Sequence, residues 1–159
     1  MWKLHTQMIG MDRGGKGRRM KKEDCIFCKI AEGKIPSKTL YEDERFRVIL
    51  DLGPVARGHA LILPKDHAEN IYELSEETAA AAMSLAKRMA IVMRDRLNCD
   101  GLNLIQNNGE AAGQTVAHFH MHVIPRYKED GQKIGWTPRE ATEEELESVK
   151  TQLTQGTEV

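Results

Sequence analysis

The 159-residue sequence predicts a chain of mixed α and β structure. Three observations carry that expectation. Residues 38–63 read as a run of short strands, residues 75–98 as one long helix, and residues 115–125 alternate polar and apolar side chains with the period of a strand. The length is one domain's worth and enough to bury a core.

Taken in order, residues 1–22 mix glycine, charge and scattered methionine without a sustained period, and a disordered basic tail is expected there. They carry seven Lys/Arg against Asp12 alone, or +6, so the net charge of −1 leaves −7 on the remainder. A start at Met20 is the bland explanation of the tail. A basic arm for nucleic acid or an anionic membrane is the functional one. From Asp24 the chain reads as a knuckle entering a short helix that stops at Gly33. Cys25-x-x-Cys28 suits metal ligation because two thiolates on a tight turn can reach one ion, yet the pair is only half of a tetrahedral site. A redox pair is the competing reading, and no thioredoxin-like βαβ pattern follows it.

Thr39-Leu-Tyr41 is a short strand. Phe46, Val48 and Leu50 then alternate with Arg45, Arg47 and Ile49, and Ala60-Leu-Ile-Leu63 is a compact apolar run. Gly53-Pro54 and Arg57-Gly58 supply the turns between them. Asp51 ends one strand, His59 opens the next, and Pro64-Lys-Asp-His67 leaves the sheet. Ser75 is a good N-cap, with Glu76 and Glu77 placed to suit the helix dipole. Ala82, Leu85, Ala86, Met89, Val92, Met93 and Leu97 make the apolar stripe, so the methionines are core filler. Cys99 reads as a small apolar residue near the helix end. Residues 102–106 form a strand after the Asp100-Gly101 turn, and residues 142–153 a short, acidic, solvated helix.

The densest chemistry lies in residues 115–125. His118, His120 and His122 alternate with Phe119, Met121 and Val123, which places the histidines on one face at steps of ~6.6–6.8 Å and the apolar residues toward a core. A half-buried strand with a chance histidine face is the bland alternative. A zinc site, a nucleophilic imidazole and an anion site all remain open on such a ridge. The small-residue loop from Asn107 to Thr115 runs into the strand, and its amides can address phosphate oxygens, which favours a phosphate held beside a nucleophile. The acidic body argues against a general nucleic-acid binder. No apolar run approaches a membrane span and no signal-peptide pattern is present, so a cytoplasmic protein with reduced cysteines is expected.

The run His118-Phe-His120-Met-His122-Val-Ile resembles the His-φ-His-φ-His-φ-φ motif of the histidine triad (HIT) superfamily of nucleotide hydrolases and transferases. Cys25-Ile-Phe-Cys28, Ile35-Pro36, Gly58-His59, Leu63-Pro-Lys-Asp-His67 and Gly113-Gln114-Thr115 extend the resemblance to its bacterial Hint-like branch, over about residues 24–127. That resemblance implies an α+β, HIT-like fold over residues 23–130, with about five antiparallel strands, one long helix and a short N-terminal helix. Residues 131–159 are then a C-terminal extension, and a homodimer is implied. His120 matches the nucleophile that attacks the α-phosphorus of a purine nucleotide and forms a nucleotidyl-histidine. His122 matches the phosphate and leaving-group contact, His59 its support, and Asp51 the ribose-binding carboxylate. Asn107, Gly113, Gln114 and Thr115 match the phosphate-side loop, and Phe27, Ile30, Ile35, Leu50 and Leu52 the walls around the base. Zinc-bearing relatives imply that Cys25, Cys28, His67 and His118 hold a structural zinc, with no organic cofactor.

His122 stands where transferase branches carry glutamine, so water is the expected acceptor. The reading is therefore a nucleoside phosphoramidase-like hydrolase acting on purine nucleotides, with neither nucleic acid nor membrane as partner. Its rivals are a dinucleoside polyphosphate hydrolase, a nucleotide-binding interaction module with little turnover, and a zinc hydrolase whose three histidines hold a catalytic metal.

Overall fold

The structure, a computed structural model, describes residues 22–156. The tail expected over residues 1–22 therefore lies outside the described residues, apart from Lys22. The first element, α1 (Ile26–Ala31), is capped by Cys25, whose Sγ accepts the Cys28 N–H at 3.5 Å. It ends where Gly33 takes φ 77°, a left-handed conformation open to a residue without Cβ.

Five strands follow: β1 (Thr39–Glu42), β2 (Phe46–Leu50), β3 (Ala60–Pro64), β4 (Gly101–Gln106) and β5 (Met121–Arg126). They form one antiparallel sheet in the order β1-β2-β3-β5-β4. The fold is thus α+β, as expected. Between β3 and β4 runs α2 (Glu76–Leu97), with Ser75 Oγ accepting the Thr78 N–H at 3.2 Å and Asn98 closing the far end at φ 51°. A final helix, α3 (Glu143–Thr154), is capped by Thr142 and buries none of its residues.

The main core lies between the sheet and α2. Phe46, Val48, Ile62, Phe119, Met121 and Val123 meet Ala82, Leu85, Ala86, Met89 and Met93 of the helix stripe. Burying each large apolar side chain contributes on the order of 1.5–3 kcal/mol. Val92, assigned to that stripe from its spacing, is instead 51% exposed, because α2 turns its 88–92–96 flank away from the sheet. The opposite sheet face holds a second cluster of Ile49, Leu61 and Leu63 under Phe27 and Ile30 of α1. Ile49 looked like the outward partner of Val48, but α1 covers it. Arg47 fastens α1 there, donating to the Ile30 carbonyl at 2.8 Å and pairing with Glu42 at 2.7 Å. Lys65 joins the same carboxylate, and the two cations hold Glu42 down to about pKa 2, with Lys65 the larger influence.

Gly58 sets how closely the chain approaches the start of β3. It adopts φ +89°, and a Cβ there would lie 2.5 Å from Leu97 Cδ1 and 3.2 Å from Pro125 Cγ. A glycine is required for the end of α2 to close against the turn that launches His59.

Candidate active site and metal centre

The three histidines do not stay on one strand. β5 begins only at Met121, because the backbone ahead of it is bonded elsewhere: the Phe119 N–H donates to the Ala68 carbonyl at 2.6 Å and the His118 N–H to Val116 at 2.8 Å. Phe119, Met121 and Val123 do face the core. The imidazoles, however, divide between two centres.

The first centre gathers Cys25 from the N-cap of α1, Cys28 from within it, His67 from the loop after β3, and His118. Cys25 Sγ lies 3.4 Å from His118 Nδ1, while Cys28 Sγ is 3.3 Å from His67 Nδ1 and 3.5 Å from His118 Nδ1. The edges of a tetrahedron with zinc–sulfur bonds of ~2.3 Å and zinc–nitrogen bonds of ~2.05 Å come to about 3.3–3.8 Å. Orientation fits as well. His118 Nε2 meets the Pro64 carbonyl at 3.0 Å and so carries the proton, which turns the Nδ1 lone pair into the cluster. Burial pushes the His118 pKa down to about 4, so the ring is a neutral ligand at neutral pH. His67 Nδ1 stands 3.2 Å from that lone pair, and burial pushes the Cys28 thiol up. A cation at the centre relieves both the crowding of donors and the cost of a buried thiolate. The four residues form a group that could hold a metal, and their donor set fits zinc.

The second centre is a chain of imidazoles. Val55 donates its N–H to His59 Nδ1 at 3.3 Å, which places the ring proton on Nε2. His59 Nε2 then donates to His122 Nδ1 at 2.9 Å, leaving His122 with its proton on Nε2. Asp51 Oδ2 lies 3.6 Å from His59 Nε2. Burial, reinforced by the neighbouring rings, holds His122 at a pKa of about 4, and burial also lowers His59. Both are neutral at neutral pH. Asp51, His59 and His122 are close enough to share a metal. A catalytic metal shared by His118, His120 and His122 would need their ring nitrogens to converge; instead His118 Nδ1 turns to the cysteines, His120 Nδ1 to the main chain and His122 Nδ1 to His59. His120 Nδ1 donates to the His118 carbonyl at 2.7 Å, so its Nε2 keeps a free lone pair. The Phe27 ring, edge-on at 5.0 Å, fixes its orientation.

His120 and His122 form the polar end of a pocket of about 340 Å³. Phe27, Ile30, Ile35, Leu50 and Leu52 all line it, as do Asp51 and Thr115. Asp51 Oδ1 accepts the Gly53 N–H at 2.8 Å, which orients the carboxylate. Asn107, Gly113 and Gln114 do not line the pocket. The expected cradle of amides is smaller than their sequence implied, since the Gly113 N–H donates to the Glu110 carbonyl at 2.8 Å and the Gln114 N–H to Gly109 at 3.1 Å. A 3-10 turn at Glu110–Ala112 uses them. The Gln114 side chain braces the loop, accepting from the Gly109 N–H at 2.8 Å and donating to the Glu69 and Val116 carbonyls. Ser37, Lys38 and Val55 escaped sequence reasoning. Ser37 and Lys38 lie in the irregular stretch before β1 and Val55 in a bend between β2 and β3, where no periodic signal exists, and Val55 acts only through its backbone.

A family model, HIT domain, matches residues 32–129. The chain belongs to the HIT family. "Protein hit" of Bacillus subtilis is 49% identical over 115 residues, covering 72% of this chain and 79% of that protein. The adenosine 5'-monophosphoramidase HNT1 of Saccharomyces cerevisiae is 40% identical over 130 residues, 81% of this chain and 80% of its own length. The adenylylsulfatase HINT3 of Arabidopsis thaliana is 41% identical over 107 residues, 67% of this chain and 54% of that one. Among solved structures, a HIT family protein from B. subtilis superposes with TM-score 0.79 at 41% identity, covering 86% of this chain and 99% of that one. A zinc-bound histidine triad family protein from Mycobacterium smegmatis superposes with TM-score 0.65 at 38% identity, covering 84% and 98%.

Proposed function

We propose that the chain is a nucleotide hydrolase that cleaves purine nucleoside phosphoramidates, or related nucleotidyl conjugates, at the α-phosphate through a nucleotidyl-histidine. The observation that carries this reading is the free Nε2 lone pair of His120, aimed by the His118 carbonyl and placed at the polar end of an apolar pocket. A neutral imidazole is a good nucleophile near neutral pH, and its phosphoryl adduct is a good leaving group toward water. The relatives named for an adenosine phosphoramidate and for adenylylsulfate support a nucleotidyl substrate and differ in leaving group.

In this scheme the base lies between Phe27, Ile30 and Ile35, and Asp51 accepts hydrogen bonds from the ribose hydroxyls. His120 Nε2 bonds to the α-phosphorus as the P–N bond to the amine breaks. One proton must reach the leaving nitrogen. His122, taken to its imidazolium by a solvent proton once the anionic phosphoryl group binds beside it, delivers it from Nε2 and returns to the neutral ring. The same nitrogen then takes a proton from the water that releases the nucleotide, so one turnover restores the site. Thr115 N–H, which has no protein partner among the described residues, faces the phosphoryl oxygens. Zinc held by Cys25, Cys28, His67 and His118 would supply structural cross-linking rather than turnover, since four protein ligands leave no open position.

The chain works as a homodimer, supported by the unpaired outer edge of β4 and by Met83 and Ile91 exposed on α2. It is cytoplasmic, where free thiols stay reduced; among the described residues no helix is long and apolar enough to cross a membrane. Incubation with adenosine 5'-phosphoramidate, with rapid acid-free quenching and mass analysis, tests the main claim. Release of AMP with an adduct on His120 is expected. Turnover without any adduct, and unchanged in His120→Ala, would sink it.

A further inference from the structure

Two faces of this molecule lack a partner, and they are complementary. α3 carries Leu146, Val149 and Leu153 at i, i+3 and i+7, a single apolar stripe, and all three are exposed at 54%, 45% and 68%. A 12-residue helix is marginal in water by itself, and helices of this length owe most of their stability to the packing of such a stripe. Something must cover it.

The other face is a groove of about 540 Å³ between the second half of α2 and the β1–β2 end of the sheet. Leu40, Val92, Met93 and Leu97 form its apolar floor, with Leu40 and Val92 46% and 51% exposed. Arg57 and Arg96 flank it, no acid lines it, and neither guanidinium has an acidic partner among the described residues. α3 brings four glutamates and one lysine around its stripe. An acidic amphipathic helix and a basic-rimmed apolar groove match in both charge and hydrophobicity.

We infer that the groove receives α3 of a second copy of this chain. The tether favours exchange between copies over docking at home. One end of the linker is held by Arg126, which pairs with Asp130 at 2.7 Å and donates to the Gln132 carbonyl at 2.6 Å. The other end is folded onto the helix by the Arg139–Glu145 ion pair. Between these anchors α3 is carried off its own body with its stripe outward. Exchange of one helix each way is an isologous contact, which closes after two copies. Such an exchange is independent of the proposed chemistry and of the β4 edge contact.

A disulfide test decides between occupants. In a Cys99→Ser background, Val92→Cys and Val149→Cys are placed on separate, co-expressed full-length chains and oxidised gently. A covalent heterodimer is the expected product, and neither variant alone should give one. With both substitutions on one chain, an internally cross-linked monomer would overturn the inference, because the occupant would be the chain's own helix. Absence of any cross-link would overturn it too, and a dimer held by the β4 edge alone, without helix exchange, predicts that absence. As a second measurement, Leu146→Ser/Val149→Ser/Leu153→Ser changes only exposed positions and leaves the folded body intact. Light scattering across a dilution series should show self-association at least tenfold weaker; unchanged association would count equally against the exchange.

Discussion

The Nδ1–H of His120 donates to the backbone carbonyl of His118 at 2.7 Å, and that one bond joins the two centres of the protein. His118 is fully buried and tied to the metal group through Nδ1 and to the Pro64 carbonyl through Nε2. The candidate nucleophile thus takes its tautomer from the main chain of a candidate metal ligand. Anything that loosens the first centre tilts the second.

If His120 Nε2 forms the covalent bond, no neighbour can replace it. His120→Ala should lower kcat by several orders of magnitude, beyond the ~10²–10⁴ typical of general acid–base help. Nucleotide affinity, set by the apolar walls and Asp51, should change little. Isothermal titration with AMP and single-turnover kinetics separate these quantities; wild-type turnover in the mutant would refute the assignment.

Asp51 has one carboxylate oxygen held by Gly53 and the other turned toward His59 within the pocket. Charge-assisted bonds to ribose hydroxyls are partly lost with a deoxyribose. Asp51→Asn should therefore narrow the kcat/KM preference for ribo- over 2'-deoxynucleotides, by roughly tenfold for a charge-assisted bond of ~1.5 kcal/mol. Equal preference in mutant and parent would remove Asp51 from sugar recognition.

Acid should weaken the fold as well as the chemistry. His122 is held at about 4 and His59 below its usual value, both by burial, whereas in the unfolded chain each titrates near 6.5. Between those values the unfolded chain binds more protons than the folded one. The stability from burying these neutral rings is then complete above pH ~6.5 and lost progressively as pH falls toward 4. Urea midpoints measured across that window, with zinc saturating, should decline steadily, and His122→Gln should decline less. A midpoint independent of pH over the window would contradict the neutral imidazole chain.

Much of this could be read from residue order alone, and the exceptions have a common cause. Period-2 and period-3.6 patterns located β2, β3, α2 and the core side of residues 119–123, because those patterns record local burial. Resemblance brought the walls Phe27, Ile30, Ile35, Leu50 and Leu52 to one pocket, where the structure also puts them. The errors fall where a distant segment intervenes. Ala68 takes the Phe119 amide and delays β5, α1 covers Ile49, and the turn at Glu110–Ala112 consumes two amides that looked available. None of these contacts leaves a periodic trace.

Those engaged amides sharpen the role of Thr115. With the Gly113 and Gln114 N–H groups bonded inside the loop, the proposed contact to a phosphoryl oxygen falls to the N–H of Thr115, the residue of this loop that lines the pocket. Thr115→Ala keeps this donor and should cost less than about threefold in kcat. Gln114→Ala leaves the donor in place but removes three brace contacts, to the Gly109 amide and the Glu69 and Val116 carbonyls. It should lower kcat by about tenfold or more through misplacement, without altering zinc content.

Zinc should matter to stability more than to turnover. Cys25, Cys28, His67 and His118 come from three separated stretches of chain, so a bound metal would cross-link α1, the loop after β3 and the approach to β5. Its ligands must be deprotonated, and strong chelators or acid should release it together with part of the fold's stability. Cys28→Ser should abolish stoichiometric zinc. A loss of roughly 3 kcal/mol would lower the melting temperature by ~6–12 °C in a chain of this size. Because the metal group reaches His120 through the His118 carbonyl and through Phe27, which sits between the two cysteines, the folded fraction of the mutant should keep measurable turnover with a reduced kcat. Metal analysis of protein purified without chelators, followed by melting curves with and without added zinc, provides the check. A reduced, folded preparation that contains no zinc and gains no stability on its addition would exclude a structural zinc at this centre.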